Sequence, residues 1–402
     1  EYIQSIIDLK FVETESFNRK NTIAFGNNQQ ESGAFAVAPG SLPNSSDVFI
    51  GILDDGSFQI PTRDGFQYAN VFIHEIGHAL GLKHPFDDPS PSGKVATPPY
   101  LEGNENNAVW TQMSYSGSKK SYEFSALDIS ALQYVYGVAR IANAGDTNYV
   151  YDETRSNFIW DGSGNDTIDA SRSSESVTIF LQPGFHGFKG LSKIYKPITS
   201  PGQITVNFGT EIENLIGSSF SDLLSGNNLD NILTGRGGSD LIDGMMGIDT
   251  AVYELNRASA IINFSRDDVW NVGSESDIDS LKSIERLKFN DINVALDLDG
   301  NAGKAIKLLS ALLGSEDASN PHYIGAGLNA LDAGMTYESL MAAGLEFVLG
   351  SDPSSSEVIN LFYKNLVGTN APDSILSEYK ALLDQGSLTS SRLGIAVAEH
   401  TL

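Results

Sequence analysis

Apolar and polar positions divide the chain into three patterns. Residues 8–54 alternate in short pulses between breakers such as Asn27-Asn28 and Pro39-Gly40, and read as strands at Leu9–Glu13, Thr22–Gly26, Ala34–Ala38 and Val48–Leu53. The spacing then becomes helical, from Asp64 as cap to Gly81. Pro85 to about Thr111 holds five prolines and reads as irregular. A second helix is predicted from Ser125 to Tyr136, with Leu127, Ala131, Leu132, Val135 and Tyr136 on one face and Gly137 as its stop. A Gly-, Asn- and Asp-rich middle follows. From Ala302 the pattern is helical again, at Ala302–Leu313, Tyr337–Leu349, Glu357–Leu366, Ser374–Leu383 and Ser391–Glu399.

The middle has a period of nine. GSSFSDLLS, GNNLDNILT, GRGGSDLID and GMMGIDTAV run in succession from Gly217 to Val252, and DGSGNDTID at Asp161–Asp169 is an earlier isolated copy. The sixth position is Asp166, Asp222, Asn231, Asp240 or Asp249, and the eighth is apolar: Ile168, Leu224, Leu233, Ile242 or Ala251. This resembles the repeat of RTX parallel β-rolls, in which Gly-rich turns offer carbonyls, the Asp offers a carboxylate and the apolar residue points inward. Two nonapeptides make one coil. Calcium is then expected between turns 18 residues apart, with those five residues as its ligands. Few copies have the double Gly, and Asn231 is neutral, so a Gly/Asp-rich loop or a metal-free solenoid is the competing reading.

Charge sharpens the picture. The net charge is −26, and residues 146–299 alone carry 24 acidic against 11 basic side chains, 17 of the acids being Asp. An Asp excess beside Gly favours turns and hard cations over a merely soluble surface. The acidic balance argues against nucleic-acid binding. No apolar run reaches the roughly 18 residues of a membrane helix. With no Cys, thiolate metal sites, thiol nucleophiles and disulfides are excluded.

Candidate chemistry sits at His74-Glu75-Ile76-Gly77-His78-Ala79-Leu80-Gly81-Leu82-Lys83-His84-Pro85. His74 and His78 are four apart on a predicted helix and project from one face. Gly81 can take the left-handed conformation that ends the helix, letting the chain fold back to bring in His84. Three neutral imidazoles suit one zinc ion and leave its full charge to acidify a water. Three of the six His fall in this window of eleven residues, which chance rarely produces. Gln112-Met113-Ser114-Tyr115-Ser116 lies 28 residues after His84.

The HExxHxxGxxHP run followed by Met113-Ser114-Tyr115 resembles the serralysins, secreted zinc endopeptidases of the metzincin clan. The resemblance implies that His74, His78 and His84 hold zinc, that Glu75 is the general base, that Met113 floors the site and that Tyr115 steadies the oxyanion. It spans roughly residues 1–299. The expected architecture is an α+β metzincin catalytic domain at 1–145, an all-β parallel RTX roll at 146–299 and a small all-α helical domain of unknown function at 300–402. The expected activity is hydrolysis of internal peptide bonds in protein or peptide substrates, outside a Gram-negative cell after one-step export, with calcium structural. The competing class is an RTX adhesion or binding protein whose zinc site is inactive or structural. Only 73 residues precede His74, and Glu1–Ile7 reads as the tail of an amphipathic helix. A removed N-terminal segment or a proteinaceous inhibitor is therefore a further expected partner.

Overall fold

The computed structural model describes residues 1–15, 21–30, 33–42, 44–57, 69–86, 98–117, 121–192, 196–265 and 269–400, without the Glu316 side chain. Asp64, the expected helix cap, lies outside these. The chain forms two compact units, residues 1–247 with 259–283, and residues 248–258 with 284–402.

The first unit opens with a single turn at Ile3–Ser5, after which Ile7 bridges to Val138. Leu9–Glu13 is not a strand. Ile6 and Ile7 supply the buried anchors of this stretch, while Phe11 and Val12 stay exposed, so its alternation serves no sheet face. Three strands follow: β1 (Phe25–Gln29), β2 (Ala34–Ala36) and β3 (Val48–Ile52). β3 is central, parallel to β1 and antiparallel to β2. β1 begins three residues later than the alternation suggests.

Helix α1 (Ala69–Ala79) packs on two sides. Phe72 and Ala79 meet Val48 and Ile50 of the sheet. Ile73 and Leu80 meet Ile129 and Leu132 of α2 (Ala126–Tyr136). The start of α2 is a capping box, in which Ser125 and Asp128 exchange side-chain and backbone hydrogen bonds.

The rest of this unit is built of short strands in two sheets. Asn148–Val150, Thr167–Asp169, Asn214–Ile216 and Ile232–Thr234 are parallel neighbours in that order. Val177–Phe180, Leu223–Ser225, Leu241–Asp243 and Asp277–Lys282 form a second parallel run. It is extended by Trp270–Ser274 and Ile261–Phe264 at one end, and by His186–Lys189, Gln203–Val206 and Asn157–Ile159 at the other. Leu223 pairs with Leu241 and Asn214 with Ile232, so partners are two nonapeptides apart and successive repeats alternate between sheets. Ile168, Leu215, Leu224, Leu233 and Ile242 are all buried, as one-in-two alternation along a pleated strand requires.

In the second unit, Thr250–Val252 and Arg286–Lys288 pair in parallel and Asn293–Ala295 closes antiparallel. Six helices follow: α3 (Asn301–Asp317), α4 (Pro321–Asp332), α5 (Tyr337–Leu349), α6 (Ser355–Val367), α7 (Asp373–Asp384) and α8 (Ser390–Ala398). Leu308, Leu312, Met341, Leu345, Val358 and Phe362 centre their core. α4 is the helix that the apolar spacing does not predict. Gly325 and Gly327 dilute its pattern, although Asn320 capping a Pro321 at the first helical position is a start signal.

Arg286 ties the strands of this unit to its helices. Its guanidinium forks onto Asp332 at 2.7–3.0 Å and also donates to Asp297. Asp297 in turn accepts the Asn301 N–H at the start of α3. These three side chains are mostly buried. Removing one partner of such a cluster leaves a desolvated charge uncompensated. Asp332→Ala is expected to destabilise the second unit by on the order of 2–4 kcal/mol, read as lost hydrogen-exchange protection across residues 284–402 with the first unit unchanged.

Candidate metal centre and catalytic site

The end of α1 builds the site. Gly81 has φ +103°. The Gly81 N–H donates to the His78 carbonyl and the Leu82 N–H to the Gly77 carbonyl, the paired bonds of a Schellman cap. This reversal carries His84 back beside the helix. His84 Nε2 lies 3.1 Å from His74 Nε2 and 3.0 Å from His78 Nε2. The three rings could hold one metal ion. The other nitrogens of two rings are already committed: His74 Nδ1 is 2.8 Å from the Gln112 carbonyl and His78 Nδ1 is 2.8 Å from the Leu82 carbonyl. A carbonyl only accepts, so each Nδ1 carries its proton and each Nε2 keeps a lone pair. Nitrogen ligands on a tetrahedral zinc are about 3.3 Å apart at bonds of about 2.0–2.1 Å. The triad fits that ion in donor type and spacing. Burial, together with the nearby His84, holds the His74 pKa down, against the pull of the Gln112 carbonyl.

Glu75 is 7% exposed, and burial pushes its carboxyl up to about 7. The Ala36 backbone N–H, donating to it, pulls the other way. Ala36 belongs to β2, the sheet edge. Gly33 bonds to Gly51 of β3 and Val37 to Ser46 and Asp47 just before it, so by alternation the backbone groups of Ala34 and Ala36 turn to the outer side, where Glu75 lies. Tyr115 is 68% exposed, with its hydroxyl 2.9 Å from His84 Nε2. Its ring stacks near His74, and Phe86 stacks on His84 at 5.0 Å. Met113 is buried, and a Cβ at Gly77 would lie 2.6 Å from its sulfur, so the Gly inside the histidine motif makes room for this floor.

Asp128 is the residue that motif reading misses. Its carboxylate accepts the Thr111 hydroxyl at 2.6 Å, the Gln112 N–H at 2.7 Å and the Ser125 N–H at 3.0 Å. It thereby fixes the peptide whose carbonyl orients His74. Gln112 adds side-chain bonds to the Ala108 carbonyl and Ser125 Oγ. Tyr136, at the far end of α2, donates to the Leu80 carbonyl at 2.8 Å and steadies the turn at Gly81. The Ser125-x-x-Asp128 spacing signals a capping box, but the reach to Gln112 is tertiary.

The repeat carboxylates form rows. Asp240 Oδ1 accepts the Asp222 N–H at 2.7 Å, Asp222 Oδ1 accepts the Val177 N–H at 2.7 Å, and Asp279 accepts the Asp240 N–H at 2.9 Å. Asp166 accepts the Thr147 N–H, and its own N–H donates to Glu213. Asn231 accepts the Asn227 N–H, and Asp249 lies in the second unit with its N–H on Glu285. Glu213, Asp279 and Glu285 fall outside the repeat frame and were not expected. Asp166 Oδ2 and Asp240 Oδ2 are buried with no hydrogen-bond donor among the described residues. Burial pushes Asp240 up to about 8, with Asp279, Asp222 and Asp277 adding to it, and Asp166 up to about 6, with Asp161 and Glu213 adding. A Cβ at Gly217 would lie 2.6 Å from Asp222 Oδ2 and 2.8 Å from the Gly235 carbonyl. These are oxygen-lined spaces that only Gly leaves open, the chemistry a hard cation takes.

The matrixin family model (Peptidase M10) matches residues 2–137. Metalloprotease AprA of Pseudomonas entomophila is 32% identical over 244 residues, 52% of this chain and 48% of the relative. Serralysin B of Dickeya chrysanthemi is 30% identical over 249 residues, 54% and 49%. A serralysin of Photorhabdus laumondii is 36% identical over 190 residues, 40% and 37%. The chain is serralysin-like, and it spans about half the length of the curated relatives it matches.

Asp128→Ala is expected to weaken zinc retention about tenfold by freeing Gln112 and hence His74. Competition with a chromophoric chelator reads this directly, and an unchanged dissociation constant would remove Asp128 from the site.

Proposed function

We propose that this serralysin-like chain is a zinc endopeptidase, with residues 1–145 catalytic, 146–299 a calcium-binding parallel β-roll and 300–402 an appended helical module. The observation that carries the reading is the convergence of three Nε2 atoms at a helix that also carries the buried Glu75. His74, His78 and His84 would hold the ion. When bound, zinc supplies a Lewis acid that polarises a carbonyl and acidifies a water.

The protein's own groups do the rest. A peptide substrate adds antiparallel to the outer side of β2, held by main-chain hydrogen bonds to Ala34 and to the Ala36 carbonyl, the Ala36 N–H being engaged by Glu75. That edge sets the scissile bond beside Glu75. The Glu75 carboxylate takes a proton from the attacking water and delivers it to the departing amine nitrogen. Burial raises the affinity of this carboxyl for the proton that it takes and passes on. The Tyr115 hydroxyl, exposed and able to swing, donates to the carbonyl oxygen as it gains charge. An adhesion protein with a structural metal has no use for a buried Glu75, so that alternative is not favoured.

Calcium fits the rows that include Asp166, Asp222 and Asp240, whose orphaned or crowded oxygens an ion would satisfy. Asn231, neutral and fully engaged by amide bonds, makes the weaker contribution, and Asp249 serves a row in the second unit. Folding of the roll is then linked to extracellular calcium. No helix among the described residues is long and apolar enough to cross a membrane.

Glu75→Gln should keep zinc yet lose casein hydrolysis by about 10²–10⁴-fold. Loss of zinc instead would make Glu75 a structural residue. Chelating calcium should abolish the folded circular-dichroism signal of residues 146–299, and an identical signal with and without chelator would end the calcium reading.

A further inference from the structure

Helix α2 stands between the metal centre and the repeat strands. Its Ile129 and Leu132 pack toward α1, and Tyr136 bonds to the Leu80 carbonyl. Ser130, Gln133 and Tyr134 make the contacts with the other side. There the chain leaves strand Gln203–Val206 into Asn207, which is buried. The Asn207 backbone belongs to the repeat region: its N–H donates to the Ile159 carbonyl at 2.8 Å and its carbonyl accepts from Thr210.

The Asn207 side chain belongs to α2. Its Nδ2 donates to Gln133 Oε1 at 2.8 Å, and its Oδ1 accepts from the Ser130 hydroxyl at 2.9 Å. Gln133 is buried too, and its Nε2 donates to the Ile6 carbonyl at 2.9 Å. That last bond fixes the direction of the whole relay. A carbonyl can only accept, so Gln133 presents its oxygen to Asn207, Asn207 must answer with its NH₂, and its own oxygen is left for Ser130. The Ser130 hydroxyl, which has one hydrogen, also lies 3.0 Å from the Ala126 carbonyl and divides it between the two acceptors, and no other residue type of this size offers one donor edge and one acceptor edge in the same plane. The surroundings are close. The Tyr134 ring meets Phe208 edge-on at 4.7 Å, and a Cβ at Gly209, which has φ +81°, would lie 3.2 Å from the Val138 nitrogen.

Two residues before Ser130, the same helix carries Asp128, the anchor of Gln112 and so of His74. An 11-residue helix is a rod of about 16 Å that moves as one piece. A buried polar network with paired amides specifies one register where apolar packing tolerates several.

We propose that Asn207 is a positioning residue for the metal centre: by fixing the register of α2 against the repeat strands, it sets Asp128, the Gln112 carbonyl and the orientation of His74. This rests on the zinc reading of the triad. It makes the metal centre dependent on a residue more than a hundred positions downstream, outside the segment that the matrixin model covers.

The test uses the full chain, with zinc affinity measured by chelator competition and kcat and KM measured on casein. Asn207→Ala is expected to raise the zinc dissociation constant about fivefold to tenfold and to lower kcat with KM unchanged, while Asp128→Ala combined with Asn207→Ala is no worse than Asp128→Ala alone. Additive effects, or a folded Asn207→Ala with wild-type zinc affinity, would overturn the proposal. If Asn207→Ala does not fold, Ser130→Ala removes one bond of the relay and should shift the zinc constant about twofold to threefold, no shift again being decisive against it. Wild-type protein that binds zinc but leaves casein intact would fail the endopeptidase reading and leave the comparison of zinc constants in force.

Discussion

An imidazole offers Nε2 to a metal only if its Nδ1 holds the proton, and a buried N–H must have an acceptor. That constraint organises the first unit. The acceptors for His74 and His78 are main-chain carbonyls, at Gln112 and Leu82, and both lie in irregular backbone. A helix holds its own carbonyls in place, whereas a turn needs outside help. Leu82 is held by the reversal at Gly81, and that reversal is steadied from Tyr136 through Leu80. Gln112 is held by Asp128. Helix α2 is therefore as much a part of the candidate metal centre as α1, although it contributes none of the three histidines.

Comparing Asp128 with Asp240 shows how one side chain serves two ends. Both are buried. Asp128 has donors on both oxygens, from a hydroxyl and two amides, and forms a closed structural joint. Asp240 has an amide on one oxygen and, among the described residues, no hydrogen-bond donor on the other, with neighbours that are themselves acidic. A charge left open in that way is costly unless a cation completes it. The difference lies in the count of donors around each oxygen, and burial alone does not reveal it.

The sequence makes local relationships legible and hides distant ones. The three histidines and Gly81 span eleven residues, so spacing alone brings them together. The nine-residue period likewise carries the pairing of Leu223 with Leu241 and the burial of position eight, since the repeat is the register. Met113 and Tyr115 become visible only through family resemblance, because nothing local distinguishes them from packing residues. Asp128, Glu213, Asp279 and Asn207 stay hidden, as each acts on a partner that the fold alone brings near. Leu9–Glu13 misleads because Phe11 and Val12, although apolar, stay exposed and the segment pairs with no strand, and α4 is missed because two glycines dilute a helix that tertiary packing stabilises.

The path of the chain through its two units has an evolutionary consequence. The second unit takes residues 248–258, returns the chain to the first unit for 259–283, and takes it back from 284 onward. The C-terminal helices are continuous with a unit that begins inside the last repeat. Recombination at one junction near residue 300 would transfer helices without the strand that carries Arg286, their ionic partner. A transferable cassette needs three junctions, or one junction placed upstream of the final repeats. Exchange of the helical module without the strand that carries Arg286 would thereby leave Asp332 and Asp297 without their cation.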